Sequence, residues 1–138
     1  MRPNTLAEAV ARIQAGQSRD IALSEFVDSF DLAASDADRY AAIEREPDPT
    51  GDSRLDALVG GIAEYLAKQR RLSRVPPWTS GSARRLAEPW FTTSSTSPAM
   101  REYLTFASPG EFSSRNIFTE ERPLQRPHGL KTFRMTKE

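Results

Sequence analysis

A single histidine, His128, is the natural place to look for proton-transfer chemistry in this chain. Histidine is the usual general base near neutral pH, but a base needs a neighbour that fixes it in place. His128 sits between a proline and a glycine close to the C-terminus, a context that fixes nothing. Carboxylates occur in close pairs: Asp28 with Asp31, Asp52 with Asp56, Glu120 with Glu121. Helical spacing can bring such pairs onto one face for a divalent cation. Without histidine or further converging carboxylates the ligand count stays too low, so these pairs read as solvated faces or helix-dipole partners. Ser24, Ser53, Ser108 and Ser113 are formal nucleophiles, but capping or exposure accounts for each. The chain has no cysteine, which excludes a disulfide framework and a thiolate metal site. "VGGI" at 59–62 is not followed by Lys-Ser or Lys-Thr and is no phosphate loop. The turn "EPDPTGD", residues 46–52, lacks the ligand spacing of an EF-hand. The residues therefore predict no catalytic group, no cofactor and no metal, and hence a protein that is not an enzyme.

The elements around these residues read as helices. Thr5 with Glu8 forms a capping box, Leu6, Val10 and Ile13 share a face, and Gly16 ends a helix over about 5–15. Leu23, Phe26, Val27 and Phe30 make an apolar stripe over 21–32. Ser35 with Asp38 opens a short helix through about 45, with Tyr40 and Ile43 as its apolar residues. Asp52 or Ser53 caps the longest helix, 53–72, with Leu55, Leu58, Val59, Ile62, Tyr65, Leu66 and Leu72 on a broad face. Gly60 and Gly61 lie inside it, each at a cost of about 1 kcal/mol against alanine. Their adjacency suggests another backbone crossing closely there, or a tolerated weak spot.

After Leu72 the composition changes. Two proline–aromatic units, Pro77-Trp78 and Pro89-Trp90-Phe91, flank "SARRLAE", which has room for a turn or two of helix. Residues 92–97 are all Ser or Thr, a loop by composition. Ser97-Pro98 starts a short amphipathic helix through Met100, Tyr103 and Leu104. Ser108-Pro109 repeats the pattern, with Glu111 completing a capping box. No segment alternates apolar and polar residues. The expected fold is all-α. A small bundle over 5–72 carries an irregular proline- and aromatic-rich segment, 73–122, wrapped on it, followed by a mobile tail over 123–138, all in one domain.

Charge and composition narrow the working mode. The 38% hydrophobic fraction is low and prolines cluster after residue 46, which points to a partly extended molecule or one completed by a partner. Residues 1–56 carry twelve acids and six bases, residues 57–138 seven acids and thirteen bases. The basic half can meet nucleic acid, an acidic protein surface or the chain's own acidic half. Lys68, Arg70, Arg71, Arg74, Arg84 and Arg85 form the basic cluster. Prolines after Leu72 interrupt the second helix that a helix-turn-helix needs, so a partner contact or solvated face is favoured over DNA. No apolar run approaches the roughly 18 residues of a membrane span and no signal peptide is present; the expected compartment is the cytoplasm. Trp78, Trp90, Phe91, Phe112 and Phe118 either staple the C-terminal part to the bundle or form an anchor patch for another protein.

A set of segments carries a resemblance. "LAEAVARIQAG", "ALSEFVDSF", "EPDPTGDSRLDALVGGIAEYLA", "PPW", "EPWF" and "SPGEFSSRNIFTEERPLQR" together resemble a family of small actinobacterial proteins encoded beside a minimal nucleotidyltransferase-like protein of the toxin class. The likeness covers about residues 5–126. "TGDSRLDAL", "EPWF" and "SRNIFTEERPL" are its most specific pieces. It implies an antitoxin-like role, in which the chain binds the nucleotidyltransferase-type toxin and masks its active site or RNA-binding surface. The chain lacks the winged-helix segment of larger antitoxins, against operon autorepression. The resemblance leaves two rivals open, a nucleic-acid-binding regulator and a protein substrate modified by the partner within Thr92–Ser97. The residues expected to meet the partner are Trp90, Phe91, Phe112, Arg115, Asn116, Phe118, Glu120, Glu121 and Arg122. Two modes are open. Asp28, Asp31, Asp36 and Asp38 could meet a basic rim, or Arg115, Arg122 and Arg126 could pair with metal-binding carboxylates of the partner.

Overall fold

The computed structural model describes residues 2–93 and 97–120. The fold is all-α, with six α-helices among the described residues: α1 (Leu6–Gln14), α2 (Arg19–Asp31), α3 (Asp36–Glu44), α4 (Ser53–Gln69), α5 (Pro98–Ala107) and α6 (Gly110–Ser113). Side-chain caps set most of the starts. Thr5 Oγ1 accepts from the Glu8 N–H at 3.0 Å, while the Glu8 carboxylate reaches past Thr5 to accept from the Asn4 N–H at 2.9 Å. Ser35 accepts from the Asp38 N–H, and Asp52 from the N–H groups of Arg54 and Leu55. Ser97 caps α5 through the Met100 N–H, with Pro98 in the first turn. Each satisfies donors that the helix itself leaves open.

Three boundaries differ from the sequence reading. Helix α2 starts at Arg19 because Ser18 is its cap, accepting from the Ile21 N–H. Helix α4 stops at Gln69, since Arg71 takes a left-handed conformation (φ 55°) and the Leu72 N–H closes back on the Ala67 carbonyl at 2.9 Å. The expected box at Ser108 and Glu111 does not form. The Ser108 hydroxyl instead lies 2.8 Å from the Leu104 carbonyl and accepts from the Thr119 N–H at 2.6 Å, so it ends α5 and pins the chain eleven residues on. "SARRLAE" contributes one 3-10 turn, Ser82–Arg84, and Pro77–Ser80 another.

Helix α4 is the centre of the molecule. Residues 55–63 are buried without a break, and Leu66 and Ala67 with them. A helix apolar all round must be covered on all sides. One hydrophobic cluster does this: Leu6 and Val10 of α1, the stripe Leu23, Phe26, Val27 and Phe30 of α2, Ile43 of α3, and Trp90, Phe112 and Ile117 from the C-terminal half. Asp56, also buried, fastens the turn before α4 by accepting from the Thr50 N–H and hydroxyl. Arg39 of α3 supplies the C-terminal cap that α2 lacks, donating to the carbonyls of Phe30, Asp31 and Ala33. The Trp78 indole does the same for α3 at the Ile43 carbonyl, 3.0 Å away.

The C-terminal half returns on α4 through a minimal parallel pairing of β1 (Trp90–Phe91) with β2 (Ile117–Phe118). Two residues a strand are too few to show the alternation by which strands are read. Asn116, with φ 65°, turns the chain from α6 into β2, a conformation asparagine tolerates better than most residues.

The two glycines of α4 mark the contact. A Cβ on Gly60 would lie 2.8 Å from Arg84 Cβ and 3.2 Å from Arg115 Nε; one on Gly61 would lie 2.8 Å from Phe112 Cδ1. The close neighbours are side chains, not the crossing backbone the sequence suggested, although the Glu111 carbonyl stands 3.5 Å from the Gly61 position. In an open helix, glycine to alanine gains about 1 kcal/mol. Here Gly60→Ala should instead destabilise the fold by about 1–3 kcal/mol through overpacking against Arg84 Cβ, which no rotamer change can move. Urea unfolding of the variant beside wild type measures the sign; a gain in stability would show that the seat is slack.

Candidate partner-binding surface

Segments 84–93 and 108–120 form the surface the sequence singled out. Its frame is built from two buried arginines. Arg84, 1% exposed, donates to the carbonyls of Asp56 and Pro47 and to the Glu46 carboxylate at 2.9 Å, and lies 4.9 Å from the centre of the Trp78 ring. Arg115, 5% exposed, donates to the Glu64 carboxylate and to the carbonyls of Glu111 and Thr79, each at 2.6 Å. A desolvated guanidinium is tolerable only when its donors are matched. The matches are main-chain carbonyls of the turn at Pro47, the 3-10 turn at Thr79 and the helical residues Asp56 and Glu111, together with two carboxylates; among the described residues the Nε of each arginine has no hydrogen-bond partner.

Glu64 sits between Arg115 and Lys68, with Lys68 Nζ 2.7 Å from its carboxylate. Burial works to raise its pKa, but hydrogen bonds from Lys68 and Arg115 outweigh it and hold the group below the ordinary carboxylate value. The same hydrogen bond to Glu64 raises Lys68.

Several residues expected at a partner interface are interior. Trp90, Phe112 and Arg115 are buried. Trp90 packs in the core with Arg54 over its ring, and Phe112 fills the seat at Gly61 against Tyr65. Arg115 is spent on the frame. Asn116 is half-buried and its amide donates to the Leu86 carbonyl at 2.8 Å. As the chain is folded, these four position the surface and do not present it, because their polar and apolar faces are already occupied. In this structure the terminal nitrogens of Arg115 serve Glu64, Glu111 and Thr79. Phe91 and Phe118 are half-buried and stack with ring centres 5.0 Å apart, and Arg101 covers the outer side of Phe91. Glu120 is exposed. Glu121, Arg122, Arg126, His128 and the expected tail lie outside the described residues.

The basic cluster is dispersed. Arg84 is buried, Lys68 pairs with Glu64, Arg70 with Asp31 of α2 at 3.0 Å, and Arg74 lies over the Tyr40 ring. Arg70–Asp31 and Arg84–Glu46 dock the basic half on the acidic half. On the acidic side Asp31 and Asp36 face Arg70 and Arg39, and Arg2 stands 3.9 Å from Asp28. Asp38 is exposed. A groove of about 550 Å³ beside α1 has Glu8, Gln14, Arg45, Glu46 and Asp48 along it. Among the described residues no group of three or more His, Cys, Asp or Glu could hold a metal ion, and no helix is long and apolar enough to cross a membrane.

The sequence reading missed the outer face of α5. Met100 and Tyr103 were expected on its buried side with Leu104, but Leu104 alone is buried, and Met100, Tyr103 and Phe106 are exposed. Arg101 beside Phe91 and Leu104 define the inner face. The spacing of Met100, Tyr103 and Phe106, three residues apart, was the available signal. Comparison with protein-family models, with curated proteins and with solved structures gives no match.

The Glu64 site predicts a pH dependence. A carboxyl held low when folded stabilises above its unfolded value, near 4.5, and that stability is lost as pH falls through the folded value. Lys68 acts at the other end: its contribution is complete below the unfolded value of 10.5 and disappears as pH rises through the folded one. Glu64→Gln should therefore flatten the fall of Tm on acidification below about pH 5 and on alkalinisation above the lysine range. Thermal melts across pH that fall as steeply as wild type would refute the role of Glu64.

Proposed function

We propose that this chain is an antitoxin-like protein that binds a nucleotidyltransferase-type toxin and masks its active site or RNA-binding surface. The likeness of the quoted segments to small proteins encoded beside such toxins supports the reading. The observation that carries it is the anchored arm. Phe112, Arg115 and Ile117 fix residues 108–120 to α4, leaving the Phe91–Phe118 stack half open and Glu120 at the surface. A nucleotidyltransferase site handles nucleotide phosphates and RNA, so its rim is basic around acidic metal ligands. An acidic arm end beside an aromatic pair suits such a rim, since aromatic anchors and charge complementarity dominate interfaces of this kind.

The test is calorimetric titration of this chain with the product encoded next to it, alongside that product's nucleotidyl-transfer assay. Phe118→Ala combined with Glu120→Ala should weaken binding by about tenfold or more while the bundle stays folded by circular dichroism. Unchanged affinity would make the arm purely structural. An added nucleotide on this chain, seen by intact mass, would make it the partner's substrate and overturn masking.

A further inference from the structure

Many of the described arginines face a partner within the chain. Arg12 pairs with Glu8, Arg39 with Asp36, Arg70 with Asp31 and Arg84 with Glu46. Arg54, Arg74 and Arg101 lie over aromatic rings. Arg85 does neither. It is exposed, and among the described residues its one contact is a 3.4 Å approach of Nη2 to the Ser114 carbonyl, a length at which little of a hydrogen bond is left. Beside it opens a pocket of about 220 Å³ lined by Glu64, Thr79, Ser80, Arg85, Ser114 and Arg115.

Much of the donor capacity around this pocket is unused. Ser80 and Ser114 are exposed, and their hydroxyls make no hydrogen bond among the described residues. Arg115, 5% exposed, is the fixed inner wall. Its Nη1 donates to Glu64 and to the Glu111 carbonyl, and its Nη2 to the Thr79 carbonyl. A guanidinium carries five N–H donors, so the Nε N–H and one N–H of Nη2 are left over. Nε lies against Gly60 and has no partner there. The second Nη2 N–H is the one left for the pocket.

The charge balance favours an anion. Glu64 is the one acid on the lining, and its two oxygens are taken by Arg115 and Lys68. Two cations on one carboxylate leave a net positive group, and Arg85 adds to it. Glu111 also stands near Lys68 but does not line the pocket. A buried wall screens such a field less than open solvent does. Arginine matches phosphate oxygens with paired N–H donors, and serine hydroxyls add single ones. Sites that enclose a whole drug-sized ligand run to roughly 300–1,000 Å³, so this smaller, open pocket has room for a phosphate group and not for a nucleoside behind it.

We propose that this pocket binds a phosphate group, free or at the end of a nucleotide. Arg85 is its main charge partner, Ser80 and Ser114 donate from the rim, and Arg115 forms the preset wall. The two segments that meet there, 79–85 and 114–115, come together only when residues 108–120 dock on α4, so the bound anion also tightens that docking.

The test is a titration of the full ¹⁵N-labelled chain, followed by its amide shifts. Sodium phosphate is compared with sodium chloride at equal ionic strength, and then with ATP. The amides of Ser80, Gly81 and Ser114 should shift along a saturable curve with phosphate and not with chloride, with a midpoint of about 1–10 mM for so small a ligand. Arg85→Gln should weaken this at least about fivefold, with the fold intact because Arg85 is exposed. Ser80→Ala combined with Ser114→Ala should weaken it by about threefold. Arg45→Gln, at an exposed arginine beside α1, should change nothing. ATP binding more tightly than phosphate supports the site with a nucleotide as the source, and phosphate binding at least as tightly supports it with the free anion. Shifts that do not saturate overturn the proposal. So do shifts indifferent to Arg85→Gln, or weakened as much by Arg45→Gln.

Discussion

Two adjacent glycines in the middle of α4 decide where the C-terminal half of this protein can sit. Without side chains, Gly60 and Gly61 leave a shallow seat on an otherwise apolar helix, and Arg84, Arg115 and Phe112 fill it. Neither arginine is solvated. Both guanidiniums are instead matched to carbonyls of Pro47, Asp56, Thr79 and Glu111 and to two carboxylates. Two of those carbonyls, of Pro47 and Thr79, belong to turns and two, of Asp56 and Glu111, to helices. The turns need partners that regular structure does not supply, and a buried planar cation provides several donors at once. These bonds offset part of the cost of desolvating the charge, although among the described residues the Nε of each arginine has no partner. Phe112 adds the apolar part, and the short β1–β2 pairing follows from the position that contact sets.

Much of the helical half was legible. The stripe Leu23, Phe26, Val27 and Phe30 is buried as its spacing requires, and the caps at Thr5, Ser35, Asp52 and Ser97 stand where hydroxyl or carboxylate side chains precede apolar periods. Local chemistry was enough there. It was not enough where a residue has more than one use for its side chain. Ser108 precedes proline as a cap does, yet its hydroxyl serves Leu104 and Thr119, which are fixed only by the tertiary fold. Arg84 and Arg115 read as surface cations because charge is usually solvated. Their burial depends on glycines 24 and 55 positions earlier in the chain. The oddity of Gly60-Gly61 was visible, but what occupied the space was not. Tyr103 and Leu104 are neighbours in sequence and were assigned to one face. The core reaches α5 from a single side, so one is buried and the other is not.

The same division separates scaffold from surface. Trp90, Phe112, Arg115 and Asn116 have the residue types of an interface and are consumed in holding it. What is left to another molecule is the Phe91–Phe118 stack, the exposed Glu120 and the outer strip of α5. The arm is proposed to meet a partner of opposite charge. The arm and α5 both rely on the seat at α4, because β2 and the end of α5 are joined through Ser108 and Thr119.

Hydrogen exchange tests the seat most directly. The amides of Leu86, Trp90 and Thr92 donate to the carbonyls of Arg115, Asn116 and Phe118 and report whether the two C-terminal segments stay together. In Arg115→Met, these amides should lose protection while the amides of α1 and α2 keep theirs. Unchanged protection at Leu86, Trp90 and Thr92 would contradict the account, since the C-terminal half would then be held by something other than the arginine buried against Gly60.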